Sequence, residues 1–183
     1  MAADILGEIK DSIRLVVDFP HPGIKFRDVS SLTQDARLFK ASLDILAERY
    51  RDRGVEYVAG CDARGFIWGG GLAAALGAGF LMIRKPGKLP PNDKLVETYG
   101  KEYGKDQFEL YVGGWGEKGL EGAKVVIIDD LLATGGSALA ASQLIERAGG
   151  VVHEVACIVG LPLLKGVERL MPRPVFTMVD YIE

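Results

Sequence analysis

One stretch of this sequence has the residue types and spacing to hold an anion beside a pair of acids. Residues 125–128 read Val-Val-Ile-Ile, Asp129 and Asp130 follow, and Leu131-Leu132-Ala133-Thr134-Gly135-Gly136-Ser137 leads into a helical pattern. An uninterrupted β-branched run reads as a strand buried on both faces, as in a parallel sheet. Ligands of such sheets bind at the carboxyl ends of the strands. The free amides and positive dipole end of a helix start form an anion site. Gly135 and Gly136 would let the backbone approach the anion, and the Thr134 and Ser137 hydroxyls could add donors. The loop therefore suits a phosphate, with Asp129 and Asp130 facing something polyhydroxylated or a metal. A sugar phosphate meets both demands. The G-x-x-x-x-G-K-[ST] spacing occurs nowhere in the chain, which excludes the P-loop reading of the same acids.

Those residues need a scaffold to hold them, and the composition allows one. The chain has 183 residues, 48% hydrophobic and 26% charged, with a formal net charge of -3. At about 150 residues per domain this implies one domain, spanning 1–183. The charge balance speaks against a general duplex-DNA binder and leaves room for local basic patches. Cys61 and Cys157 lack metal-ligand spacing and lie in apolar stretches, which suggests reduced, buried thiols. No apolar run is long enough to span a membrane, and the mixed N-terminus does not resemble a signal peptide. The expectation is a cytoplasmic protein.

Periodicity supplies the elements. Ile5, Leu6, Ile9 and Ile13 predict a helix over 3–14, and residues 35–53 predict another, stopped by Gly54. The segment from Asp18 to Gly23, with its two prolines, is irregular. Strands are predicted at 57–60, 80–83, 124–128, 151–159 and 175–179. Helices are predicted over 65–76 and 137–148. This alternation means a parallel α/β sheet with flanking helices. Residues 84–106 break the pattern with five Lys, one Arg, three Pro and three Gly. They read as a long polar loop of the functional kind, and 107–112 as a returning strand. The G-x-G-x-x-G spacing at 114–119 has no helix after it and reads as a turn. His153 lies in an apolar strand and reads as structural; Trp68, among glycines, suggests a surface facing a partner subunit.

The strand, Asp-Asp and Ala-Thr-Gly-Gly-Ser window resembles the signature that binds phosphoribosyl pyrophosphate (PRPP) in the type I phosphoribosyltransferases. Four further segments, in the family's order, resemble its adenine-specific branch: Phe19-Pro-x-Pro-Gly-Ile-x-Phe-Arg-Asp28, Asp62-Ala63-Arg64-Gly65-Phe66, Arg84-Lys85-x-Gly-Lys88-Leu-Pro90 and Glu102-Tyr103-Gly104. The resemblance runs from about residue 14 onward. Ser137 stands where Thr is more usual, and keeps the hydroxyl.

The resemblance implies the family's fold: a parallel-sheet core, an N-terminal base-binding hood at 1–34, and a flexible lid loop at 84–106. It implies transfer of the phosphoribosyl group of PRPP to adenine, giving AMP and pyrophosphate, in purine salvage. The PRPP and AMP contacts would be Arg64, Lys85, Lys88, Tyr103, Asp129, Asp130, Ala133, Thr134, Gly135, Gly136 and Ser137. A cis peptide is expected between Asp62 and Ala63. Phe26 would stack on adenine with Leu131 on its other face, while the backbones of Lys25 and Arg27 bond the ring edge. Glu102 on the lid would serve as acid/base or stabilise ribosyl charge, and Asp129 and Asp130 would complete the catalytic set. Mg²⁺ is implied, held mainly by PRPP and water with no direct protein ligand assigned. A homodimer is implied, with no nucleic acid or membrane partner. Two rivals stay open: a phosphoribosyltransferase for another purine such as xanthine, and a PRPP-sensing regulator without turnover.

Overall fold

A computed structural model of the chain describes residues 2–101, 104–113 and 119–182. Seven strands form one sheet in the order β5-β6-β4-β3-β7-β8-β9. Its parallel core is β4 (Gly79–Arg84), β3 (Tyr57–Cys61), β7 (Lys124–Leu132), β8 (Val151–Gly160) and β9 (Val175–Asp180). The antiparallel pair β5 (Lys94–Lys101) and β6 (Gly104–Tyr111) extends the β4 edge. From β3 the chain steps to β4 on one side, then returns through β7 to the other. That reversal leaves a crevice at the carboxyl ends of β3 and β7, where such sheets bind ligands.

Burial on both faces explains the apolar runs. In β7, Val125 and Ile127 join the core beneath α5 (Gly136–Arg147). Val126 and Ile128 point the other way, into the core made with α1 (Ala2–Ser12), α3 (Ala36–Tyr50) and α4 (Gly65–Leu76). All four are fully buried, each worth about 1.5–3 kcal/mol relative to exposure. Asp35 caps α3 by accepting from the amides of Arg37 and Leu38, at 2.9 and 3.0 Å, which satisfies helix-start donors. The helix ends at Tyr50, short of the glycine expected to stop it.

Several elements differ from the sequence expectation. β7 runs on through Asp129 to Leu132, so the two acids sit within the strand's end rather than beyond it. Part of the polar stretch 84–106 is ordered as the β5–β6 hairpin, in register from Lys94 opposite Tyr111 to Lys101 opposite Gly104. Tyr99 and Phe108 turn inward onto the sheet core, and main-chain pairing offsets the polar side chains around them. The hood contains a separate two-stranded ribbon, β1 (Arg14–Val17) with β2 (Lys25–Asp28), and the short helix α2 (Ser30–Gln34). Residues 161–166 carry no sequence signal, yet the chain forms a 3₁₀ turn at Pro162–Leu164 and helix α6 (Gly166–Leu170). Glu102, Tyr103 and residues 114–118 lie outside the described residues.

Trp68 is not at the surface. It is fully buried in α4, donates its indole N–H to Ser42 Oγ at 2.8 Å and meets Phe39 edge-on at 5.8 Å. Of the glycines after it, Gly69 lies against the sheet, where a Cβ would stand 2.7 Å from the Phe80 ring, and Gly71 lies against α3, where one would stand 2.7 Å from Leu43. Ser42→Ala should strand a buried indole donor and destabilise the fold by about 1–3 kcal/mol. Chemical denaturation would measure this, and an unchanged midpoint would mean that the indole bond contributes nothing.

Candidate functional site at the strand ends

Two strand ends and two helix starts converge at the crevice. β3 ends at Cys61, and Asp62-Ala63-Arg64 leads directly into α4, with the Asp62–Ala63 peptide in the cis form. A Cβ on Gly65 would stand 2.5 Å from the Ile128 carbonyl. Only glycine lets the start of α4 press so close to β7. That approach brings Arg64 against the acidic end of β7. Its Nε donates to Asp130 Oδ2 at 2.5 Å, and its guanidinium carbon lies 6.0 Å from the centre of the Phe26 ring.

Asp130 is buried, whereas the Arg64 side chain is about half exposed, at 52%. Burial works against the Arg64 charge, but the charge and hydrogen bond of Asp130 outweigh it and lift Arg64 above its ordinary value. Asp129 is also shifted upward, which for a carboxyl disfavours the charged form. Burial, then the neighbouring Asp130 charge, pushes its carboxyl well above the usual range. Its Oδ1 accepts from the Asp130 amide at 2.9 Å. The rim therefore holds one carboxylate paired with arginine and one that resists ionisation.

The loop after β7 has the geometry of an anion cradle. Gly135 takes a left-handed conformation (φ 76°) as the N-cap of α5, and no side chain caps the helix start, so its first amides remain available to a ligand. The reason for this glycine was not legible in the sequence. A Cβ on Gly135 would stand 2.7 Å from the Gly166 carbonyl, and one on Gly166 only 2.3 Å from the Ala133 carbonyl. Helix α6 thus braces the loop from behind. Arg169 of the same helix comes within 3.4 Å of where a Gly136 Cβ would be, beside the Gly100 carbonyl of the hairpin.

The expected cations take two different positions. Lys88 Nζ reaches Asp62 Oδ2 at 3.1 Å, and Arg84 Nε reaches the same oxygen at 3.1 Å. Burial alone would raise Asp62; the hydrogen bonds from Lys88, the Lys85 amide and Arg84 overcome it and hold its carboxyl below the ordinary range. Lys85 turns beneath the hairpin instead. It bonds the Tyr99 hydroxyl at 2.6 Å and Asp106, and its ammonium lies 4.6 Å from the Phe108 ring centre. Asp62 lies in a segment that resembles the family but carries no expected contact there, and Tyr99 and Asp106 lie in the β5–β6 hairpin, which no periodicity announces. Phe26 is half-buried and meets Phe19 edge-on at 5.2 Å. Lys25 is exposed beside it, and Leu131 packs in part against the core formed with α1, α3 and α4.

Among the described residues no group of three His, Cys, Asp or Glu comes together that could hold a metal, and no helix is long and apolar enough to cross a membrane. Asp129 and Asp130 offer hard oxygen donors, which suits a divalent ion bound largely through a ligand's own phosphates.

The family described as the phosphoribosyl transferase domain matches residues 28–183. The chain is 49% identical over 173 residues to an adenine phosphoribosyltransferase of Roseiflexus castenholzii, covering 94% of this chain and 98% of that one. Its fold is similar to a crystal structure of adenine phosphoribosyltransferase from Thermoanaerobacter pseudethanolicus, with TM-score 0.89, 40% identity, and coverage of 96% and 99% of the two chains. It is likewise similar to the Saccharomyces cerevisiae enzyme complexed with D-2,5-dideoxy-2,5-imino-altritol 1,6-bisphosphate and adenine, with TM-score 0.88, 37% identity, and coverage of 97% and 99%.

A carboxyl whose pKa rises on folding weakens the fold as pH climbs past its unfolded value of about 3.9. Asp129 therefore costs stability at neutral pH, whichever protonation state it takes there, that an amide would not. Asp129→Asn should raise Tm at pH 7 by a few degrees, and calorimetry should find the gain shrinking as pH falls toward about 4. A loss of Tm at pH 7 would contradict this account of the acid pair.

Proposed function

The chain belongs to the phosphoribosyltransferase family, and we propose that the crevice between β3 and β7 is where adenine and PRPP meet. The protein transfers the phosphoribosyl group of PRPP to adenine, forming AMP and pyrophosphate, as a pentosyl transferase of purine salvage. The observation that carries the site assignment is the joint placement of an uncapped helix start, an acid pair and Arg64 where the strand order reverses between β3 and β7.

The amides and hydroxyls of Ala133, Thr134, Gly135, Gly136 and Ser137 hold the 5′-phosphate. Asp129 and Asp130 accept from the ribose hydroxyls. A diol is a suitable partner for a carboxyl that burial holds back from ionising, because it stabilises the charged form by hydrogen bonding. Arg64 and Lys88 face the pyrophosphate. Each already leans on a carboxylate, so the site is charge-balanced without ligand, and arriving phosphates exchange for Asp130 and Asp62 as partners. Lys85 reaches the pyrophosphate by leaving Asp106 as the hairpin shifts.

Phe26 stacks on the base, with Leu131 on its other face. Lys25 and Arg27 are two residues apart in β2, so their backbone groups share one edge of the strand. Such an edge can read the 6-amino group as a donor, which rejects a 6-oxo purine. The attacking ring nitrogen of adenine forms its bond to C1′ as the bond from C1′ to pyrophosphate breaks, and that nitrogen loses a proton. Glu102 takes the proton or steadies the positive ribosyl carbon. Tyr103 contacts the pyrophosphate from the same segment, and closure of residues 84–106 keeps water from the cation-like state. Mg²⁺, held mostly by PRPP and water beside Asp129 and Asp130, would neutralise charge on the leaving pyrophosphate. We also infer a homodimer, with the N-terminal hood at 1–34 and lid within one domain, working in the cytoplasm.

Purified protein with PRPP and magnesium should form AMP from adenine, with hypoxanthine and xanthine turned over at least about a hundredfold more slowly. Faster turnover of either 6-oxo purine would overturn the base assignment, and an absence of AMP would leave a PRPP-binding regulator. Asp130→Asn should raise the PRPP KM by about ten- to hundredfold, the loss of a hydrogen bond to a charged group. Steady-state kinetics with the melting temperature recorded alongside would check it; wild-type kinetics would remove the ribose role.

A further inference from the structure

The ribbon β1–β2 is not joined to the main sheet, and an isolated two-stranded ribbon is marginal in water. Something must hold its base-reading strand in place. Leu15 and Val17 of β1 are 38% and 61% exposed, so little apolar burial anchors that strand. Of the residues in β1 and β2, Arg27 alone is buried. Its guanidinium carbon lies 3.7 Å from the centre of the Tyr181 ring, well within cation–π reach.

Tyr181 is itself fixed at both ends. Its amide donates to the Gly160 carbonyl at the end of β8 at 3.0 Å, and its hydroxyl donates to the Lys10 carbonyl of α1 at 2.5 Å. It is 7% exposed, and the Lys10 ammonium also lies over its ring, 5.2 Å from the centre. The ring thus belongs to the sheet and α1, while the cation stacked on it belongs to the ribbon. Successive side chains of a strand face opposite ways. Arg27 held inward against Tyr181 therefore turns Phe26 toward Arg64 and the crevice, and fixes the main chain of residues 25–27 at the depth where a base edge would meet it.

We propose that Tyr181 is a positioning residue for adenine, acting through Arg27 on the strand that reads the base. This rests on the assignment of Phe26 and of the Lys25 and Arg27 backbones to the base site. The phosphate loop and acid pair stand on β7 and α5, which do not depend on the ribbon. Disturbance of the clasp should therefore appear in adenine binding and spare PRPP.

The test is steady-state kinetics in both substrates, with melting temperatures, for wild type, Tyr181→Phe, Tyr181→Leu and Arg27→Lys. Loss of the ring or of the planar cation should raise the adenine KM about tenfold, with the PRPP KM within about twofold of wild type. Tyr181→Phe keeps the ring and should retain the wild-type adenine KM. An unchanged adenine KM in Tyr181→Leu, a parallel rise of both KM values, or a Phe variant as impaired as Leu would overturn the proposal. If Tyr181→Leu does not fold, the same split in Arg27→Lys decides the matter. Wild-type protein inactive on adenine would bring down the base assignment and this inference with it, whereas wild-type activity with unselective variants would bring down the inference alone.

Discussion

The ion pair between Arg64 and Asp130 joins the two halves of this molecule's chemistry. It exists because a parallel sheet reverses its strand order between β3 and β7, so the ends of two strands remote in sequence open side by side. Glycine at position 65 brings the start of α4 against the Ile128 carbonyl, which sets the arginine over the acid. The rest of the site is arranged around this contact. The glycine loop at 133–137 continues from the same strand as Asp130, and Phe26 lies 6.0 Å from the guanidinium carbon.

A chain with net negative charge gathers several cations around this crevice, and each of them is paired with a carboxylate. Asp62 holds Arg84 and Lys88, Asp130 holds Arg64, and Asp106 with Tyr99 holds Lys85. Cations parked in this way keep their direction without the full cost of an unpaired charge in a partly buried site. The same economy explains the strain in Asp129. Two adjacent acids at a buried strand end cannot both ionise cheaply, which is why the Asp129 carboxyl is pushed up.

The loop at 133–137 shows how far a short motif depends on distant chain. Its glycines suggest close approach of a ligand, yet Gly135 also lacks a side chain because Gly166 of α6 fills the space behind it. Tyr181 plays a comparable part for the ribbon, holding Arg27 from beyond β9. Both supports lie in the last fifth of the sequence, where no motif announces them.

The sequence by itself determined the layered α/β architecture, because apolar runs such as Val125–Ile128 can be satisfied only by burial on both faces. It also determined that an acid pair and a glycine loop stand together at a helix start, since these follow one another within a dozen residues. Local spacing carries local geometry. Tertiary structure alone decided which partners meet across the fold: Arg64 with Asp130, Lys85 beneath Tyr99, Trp68 inside rather than at a surface, and Arg27 against Tyr181. The hairpin at 94–111 belongs to that second group, because its strands are mostly polar and take their stability from main-chain pairing and two inward aromatics. Such contacts depend on strand order and on how closely helices approach the sheet. Neither is written in the neighbourhood of any one residue.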